Sequence, residues 1–154
     1  MNIHFKPAST EDAEQLTAVS VKSFHTDHLV GGRESIGGPD GYDSTEFHRQ
    51  TIEEASKFYK ILMDDRIIGG FWFFNRNVKH AYLSRIFVDT EFHHKGVGLL
   101  SFKFLFRNHP EVKQWSLQTP IWNTRTPKFY IKLGFEIVKK TDKFIFFTKK
   151  LQSE

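Results

Sequence analysis

The spacing of apolar residues predicts the elements in turn. Ile3-His4-Phe5-Lys6 alternates and then meets Pro7, which predicts a short strand. Ser9 or Thr10 offers an N-cap, and Glu11 and Asp12 suit the positive end of a helix. Leu16, Val19, Ser20 and Phe24 then fall near one face, so a helix is expected from Glu11 to about Phe24. Residues 28–43 break the pattern, being dense in Gly, Pro and Asp, and predict a long loop. Asp43 or Ser44 caps a second helix over Thr45 to Ser56. Lys57–Met63 and Arg66–Asn75 read as a hairpin around Asp64-Asp65, with Gly69-Gly70 marking a bulge or a close backbone approach. A third strand follows from Lys79 to Asp89.

Beyond it, His93 to Gly98 forms a short glycine loop that opens an amphipathic helix reaching Asn108, with Val97, Leu100, Phe104 and Leu105 as its inner stripe. Gln114–Gln118 is a short strand. Thr126–Leu133 is a short helix stopped by Gly134, with Thr126 as N-cap before Pro127. Phe135–Lys140 and Phe144–Lys149 close the chain as two strands. The predicted order is β-α-α-β-β-β-α-β-α-β-β: a mixed α/β (α+β) fold with a mostly antiparallel central sheet flanked by helices. One domain over residues 1–154 is expected from the length and from the lack of repeats or a linker.

Composition narrows the classes. No cysteine is present, which removes disulfides, a thiol nucleophile and thiolate metal sites. The N-terminal residues carry no apolar signal region, and no stretch approaches the ~18 consecutive apolar residues of a membrane span. A soluble, cytoplasmic protein without membrane contact is expected. The formal charge of +4 is too small to imply nucleic acid. Its distribution is uneven: Arg33 to Glu54 is acidic and Lys132 to Lys150 is basic. These read as two solvated faces, or as sides that meet a cationic acceptor and a phosphorylated cofactor. The 17 Phe sit mostly in strand-like runs and read as core. The eight His include no set with ligand spacing, so no metal is expected.

The chemistry concentrates where strand Arg85-Ile86-Phe87-Val88 leads through His93-His94-Lys95-Gly96-Val97-Gly98 into a helix. A helix N-terminus presents unpaired amides and a positive dipole end, and glycines let an anion approach. That makes a phosphate site or, read blandly, a tight turn that needs Gly for its geometry. It is neither a Walker loop nor a dinucleotide fingerprint. Further on, the chain reads Trp122-Asn123-Thr124-Arg125-Thr126-Pro127-Lys128-Phe129-Tyr130, and then Gly134-Phe135. The two blocks, in this order and spacing, resemble the GNAT superfamily of N-acetyltransferases, and the element order resembles that family along nearly the whole chain.

The resemblance implies acetyl-CoA as co-substrate. Its pyrophosphate would sit on the amides of His94, Lys95, Gly96, Val97, Gly98 and Leu99. The pantetheine arm would pair with the backbone near Phe87 and Val88, and Asn123 would face it. Tyr130 would stand beside the thioester sulfur as the proton donor to the leaving thiolate. His93, a cofactor-side residue by the resemblance, replaces the usual Gln or Arg; it can still donate a hydrogen bond, so a changed contact rather than a lost site is expected. Thr90 replaces a common Pro, and Thr126 a common Ala. The oxyanion donor would be the amide of Phe87 or Val88, exposed if the neighbouring strand splays away.

The acceptor side is less determined. The loop Gly31–Asp43 suits a lid, with Tyr42 and Asp43 as contacts to the amine and Glu34 and Asp43 as candidate bases. His80 shares a strand face with Tyr82 and Ser84 and is a candidate base, directly or through water. The expected activity is transfer of acetyl to a primary amine of a small molecule or peptide by direct attack on the thioester. The alternative is a silent CoA-binding sensor or scaffold. Nucleic acid is not an expected partner, and the aromatic C-terminal hairpin leaves room for a homodimer.

Overall fold

Among the residues described, 2–25 and 37–151, seven strands form one sheet in the computed structural model. The elements are β1 (Ile3–Pro7), α1 (Ala13–Phe24), α2 (Thr45–Glu54), β2 (Lys57–Met63), β3 (Arg66–Asn75), β4 (His80–Val88), α3 (Val97–Asn108), β5 (Gln114–Pro120), α4 (Thr126–Lys132), β6 (Glu136–Lys140) and β7 (Phe144–Lys150). This is the expected order. The sheet runs β1-β2-β3-β4-β5-β7-β6, with β4 and β5 parallel and the other neighbours antiparallel.

Local chemistry accounts for the element ends. A 3₁₀ turn at Thr10–Asp12 precedes α1, and the Asp12 carboxylate accepts the Ser9 amide at 2.8 Å. Ser44 caps α2, its Oγ accepting the Phe47 amide at 3.0 Å. That helix stops at Glu54, short of the expected Ser56, because the Ser56 amide turns to the Phe73 carbonyl at 3.0 Å and joins the sheet. Gly134 ends α4 in the left-handed region at φ +97°.

Two cores cover the two faces of the sheet. Leu16 and Val19 of α1 pack with Phe58, Leu62, Ile67, Trp72 and Phe87 on one face. Phe102 and Leu105 of α3 and Tyr130 of α4 pack with Phe71, Phe73, Trp115 and Phe147 on the other. The buried stripe of α3 is Val97, Ser101, Phe102 and Leu105. Leu100, expected inside, is 40% exposed, and Phe104 is half-buried against Phe5 and Tyr59. The stripe is rotated because the helix starts at Val97 and the residues four and five later face inward with it.

Two irregularities in the strands shape the site. Register shifts in β2–β3, where Ile61 faces Gly69 and Leu62 faces Ile67. A Cβ on Gly69 would lie 2.3 Å from the Phe87 carbonyl oxygen, so the close approach expected there is present. In β3–β4, Trp72 faces Arg85 and Phe73 faces Leu83, leaving Ser84 as the bulged residue. The bulge swaps faces: Ala81 and Leu83 enter the α3-side core, whereas Phe87 enters the α1-side core. Past the bulge β4 also parts from β5, pairing with it only over His80–Tyr82 and Gln114–Ser116.

Candidate active site

The parting of β4 and β5 opens a cavity of about 680 Å³. Its walls are β4 from Tyr82 to Ile86, β5 from Leu117 to Pro120, Asn123, Thr126 and Tyr130 on one side, and Phe24 with Gly38–Asp40 on the other. Beyond Tyr82, β4 has no strand partner on its β5 side among the described residues. Alternate amides of that stretch therefore face the opening. Polar atoms that a ligand could satisfy also stand in these walls. The Oγ1 atoms of Thr119 and Thr126 and Nη1 of Arg85 are buried without a hydrogen-bond partner among the described residues.

At one end of β4 lies the glycine loop. His94 and Gly96 both adopt positive φ, 63° and 81°. Such left-handed residues in a turn curl backbone amides into an anion-binding concavity. The first helical bond of α3 is from Leu100 N–H to Gly96 O at 3.0 Å, so the amides of Val97, Gly98 and Leu99 precede the ladder. Gly96 supplies the turn, and a Cβ there would meet nothing within 4 Å. Gly98 serves a different purpose from the expected open anion approach: its Cβ would lie 3.1 Å from Phe129 Cζ, so it lets α3 pack on α4. His94 and Lys95 are exposed beside these amides. The loop fits a pyrophosphate, through backbone groups with Lys95 adding charge.

His93 differs from expectation. Its Nε2 donates to the Val88 carbonyl at 2.7 Å, tying the loop back to the end of β4 instead of pointing at the anion site. A carbonyl only accepts, so Nε2 carries the proton and Nδ1 the lone pair in the neutral ring. Burial holds the imidazole below its ordinary pKa, against the opposing pull of the Val88 bond. Sequence reasoning missed the partner of this tie, Asp89. Its side chain is 2% exposed and accepts from Lys22 at 3.0 Å, Arg66 at 3.4 Å and the Glu91 amide at 3.0 Å. Burial would raise its carboxyl, but that amide and the two cations outweigh it and lower the pKa. The clamp joins α1, β3 and the phosphate loop; an acid directly after a β-strand and before a turn was its only signal.

Asn123 also has a structural bond. Its Oδ1 accepts the Arg125 amide at 2.9 Å and the Thr126 amide at 3.4 Å. Asn123, not Thr126, therefore caps the start of α4, and Thr126 is the first helical residue. The correction follows from position: an Oδ1 three residues ahead reaches both amides, whereas Thr126 is already inside the turn. Tyr130 is 6% exposed, ringed by Phe102, Phe129, Phe135 and Phe147, and lines the cavity. Its hydroxyl makes no hydrogen bond to a described residue and is not among the fully buried unpartnered atoms, so it is open to the cavity. Burial pushes the phenol well above its ordinary range.

The acceptor candidates are scattered. Glu34 lies outside the described residues. Tyr42 stands behind the wall, against Phe24 and bonded to His25 Nε2 at 3.0 Å, and neither it nor Asp43 lines the cavity. His80 sits where β4 and β5 are still paired, with Nε2 2.8 Å from Ser116 Oγ, and is likewise absent from the wall. Period two places it on the Tyr82 face but says nothing about where the strands part. The carboxylates in the wall are Asp40 and Asp142. Among the described residues no group of three or more His, Asp or Glu is placed to hold a metal, and no helix is long and apolar enough to cross a membrane.

A mixed sheet that splays at a bulged strand, with an amide cradle at the strand's end, defines an acyl-CoA transferase architecture. Residues 24–135 match the Acetyltransferase (GNAT) family, and the chain belongs to it. Its fold is similar to PaiA N-acetyltransferase from Thermoplasma acidophilum in complex with coenzyme A, at TM-score 0.80, 22% identity and coverage of 97% of this chain and 99% of that one. It is similar to an acetyltransferase from Thermus thermophilus at TM-score 0.80, 16% identity and 98% of each chain. Among curated proteins it is 34% identical over 83 residues to the uncharacterized protein YrkN of Bacillus subtilis (strain 168), a match covering 53% of this chain and 45% of YrkN. The chain thus spans about half the length of the curated relative it matches.

Proposed function

We propose that this protein transfers the acetyl group of acetyl-CoA to a primary amine of a small molecule or peptide, the amine attacking the thioester directly. The observation that carries the reading is the opening between β4 and β5, which runs from Tyr130 and Asn123 to Phe24 and Asp40. Acetyl-CoA supplies the activated acyl group. Residues His94 to Leu99 hold its diphosphate through the amides at the start of α3. The unpaired edge of β4 up to Phe87 and Val88 takes the extended arm, and an edge amide there stabilises the oxyanion. Val88 offers its amide rather than its carbonyl, which His93 occupies.

Tyr130 acts on the leaving thiolate. A phenol raised by burial stays protonated throughout the physiological range, the state a donor needs. Its reference pKa of ~10 already exceeds the ~8.5 of a thiol, so it works chiefly as a hydrogen-bond donor to developing negative charge. Free water or buffer completes the proton transfer. Asp40 and Asp142 stand at the cavity where an incoming ammonium would pass.

The test is to mix the protein with acetyl-CoA and an amine panel and follow thiol release. Turnover with CoA binding is expected. CoA binding without turnover across a broad panel would support a silent CoA-binding domain instead, and no CoA binding would remove both readings.

A further inference from the structure

One cation in the cavity wall, Arg85, makes no ion pair within 4.0 Å among the described residues. Arg85 follows the bulged Ser84, and the bulge turns its side chain toward α2. The guanidinium carbon lies 5.3 Å from the Phe47 ring centre and 5.0 Å from that of Trp72. Nη2 donates to the Asp40 backbone carbonyl at 3.0 Å, and Nη1 is buried with no partner. Among the described residues no carboxylate lies within 4.0 Å of the group; Asp40 contributes a carbonyl at that bond, and its carboxylate acts from farther away. Burial lowers the pKa to about 10, which still leaves a cation at neutral pH.

Guanidinium groups taken from water without an ion pair cost free energy, and a neutral carbonyl with two aromatic faces compensates only part of it. Of the charged groups in the wall, Asp40, Asp142 and Lys143, the Asp40 carboxylate acts on Arg85 from beyond ion-pair distance. Arg85 lines the cavity, is tied to the Asp40 carbonyl, and packs on Phe47 and Trp72, whereas Tyr130 packs in the core on the α3 side.

We infer that the amine acceptor carries a carboxylate, and that Arg85 seats it while the amine faces the thioester. This rests on the acyl-transfer reading above and names its acceptor class: amino acids or peptides with a free carboxylate, as opposed to polycations. The carboxylate supplies the missing counter-ion, and the planar guanidinium matches its two oxygens. A purely structural Arg85, a pillar between Phe47 and Trp72, would leave acceptor choice untouched.

The test compares the wild-type protein with Arg85→Lys and Arg85→Met, which keep charge or stem. Acceptors are amino acids, their carboxamides, dipeptides and diamines, with rates referred to free-amine concentration; CoA affinity is measured by calorimetry. The wild type is expected to prefer carboxylate over carboxamide by about 10- to 100-fold in kcat/KM, expressed in KM, the scale of one charged hydrogen bond. Arg85→Met abolishes the preference, Arg85→Lys keeps part of it, and CoA affinity is unchanged in all three. A better amino acid or a better dipeptide each supports the inference and identifies the source of the carboxylate. Equal use of carboxamides or diamines by the wild type, or a preference surviving in Arg85→Met, overturns it. If CoA binds and no acceptor turns over, the acyl-transfer reading fails; NMR titration of glutamate and glycylglycine into the CoA complex then decides. Arg85-dependent binding upholds a carboxylate seat, and no binding overturns it.

Discussion

Replacing Tyr130 by Phe removes one oxygen and leaves the packing in place. The ring keeps its contacts at centroid distances of 5.3 Å to Phe129, 5.5 Å to Phe147 and 5.8 Å to both Phe102 and Phe135. The backbone carbonyl of Tyr130 still accepts the Phe135 amide at 3.0 Å. The hydroxyl makes no hydrogen bond to a described residue and is not among the fully buried unpartnered atoms, so no protein hydrogen bond is lost and no buried orphan is relieved. Stability is therefore expected to change by less than about 0.5 kcal/mol. Turnover is expected to fall about 100-fold, the scale of a lost proton or hydrogen-bond donor to the leaving group, or about 2.7 kcal/mol of barrier. Thiol release at saturating acetyl-CoA and amine measures kcat, calorimetry measures CoA affinity, and thermal melting measures stability. Turnover within about threefold of wild type would take Tyr130 out of the chemistry. Normal melting with normal CoA affinity and lost turnover would leave the donor role as the remaining explanation.

The other expectations address the cradle, the bulge and the titrating core. Leu99→Glu places a carboxylate on an exposed first-turn position of α3, which favours the helix dipole but repels a diphosphate. Melting temperature should hold or rise while CoA affinity by calorimetry falls about tenfold or more; unchanged affinity would move the diphosphate elsewhere. Gly69→Ala forces a Cβ to 2.3 Å from the Phe87 carbonyl oxygen and should cost about 2–3 kcal/mol in denaturant unfolding, with less than about 0.5 kcal/mol refuting the close approach. Burial is the main cause that lowers the pKa values of His48, His80 and His93. Their folded values lie below the unfolded ~6.5, so the stability they contribute is present above that pH and lost as pH falls through it toward the folded values. Asp12 and Asp89 are also lowered, their amide and cation partners outweighing burial, and they lose their contribution only in stronger acid. Melting temperature should thus start to drop as pH falls below about 6.5, and His48→Asn should flatten that drop, since His48 is fully buried with Nε2 unpartnered; a flat profile in the wild type would contradict the buried neutral rings.

The element order was legible because strands such as β4 and β5 alternate, β3 is an apolar run after a tight turn, and the helices begin near capping residues or a glycine turn, signals that are local. Bulges are not local in that sense. Ser84 looks like any polar strand residue, yet its extra place in β4 turns Arg85 and Phe87 to the α1 side and parts the strand from β5. Period two carried from His80 to Ser84 therefore chose a face correctly up to Tyr82 and had no means of locating the opening. Arg85 was visible as a lone cation among Leu83, Ile86, Phe87 and Val88, but its significance depends on two aromatic rings from distant segments. The stripe of α3 was misplaced because Leu99 and Leu100 are apolar and exposed; hydrophobicity alone does not tell an inward residue from one beside a ligand loop.

Two of the side chains that the sequence assigns to the cofactor, His93 and Asn123, also hold the backbone. His93 bonds the Val88 carbonyl, Asn123 caps two amides at the start of α4, and Gly98 makes room for Phe129. On the proposed reading much of the grip on the donor would come from amides of the loop and of the unpaired edge, which every residue except Pro carries. A site built this way tolerates changes of side chain as long as the replacement preserves the backbone path. His in place of Gln or Arg meets that condition, because its Nε2–H reaches the strand carbonyl at 2.7 Å. The same logic explains why recognition of the donor was legible from two short motifs, whereas recognition of the acceptor was not. On the proposed reading the donor would be gripped by conformation, which glycine and capping patterns encode, whereas the acceptor would meet individual side chains such as Arg85, whose neighbours are brought together only by the fold.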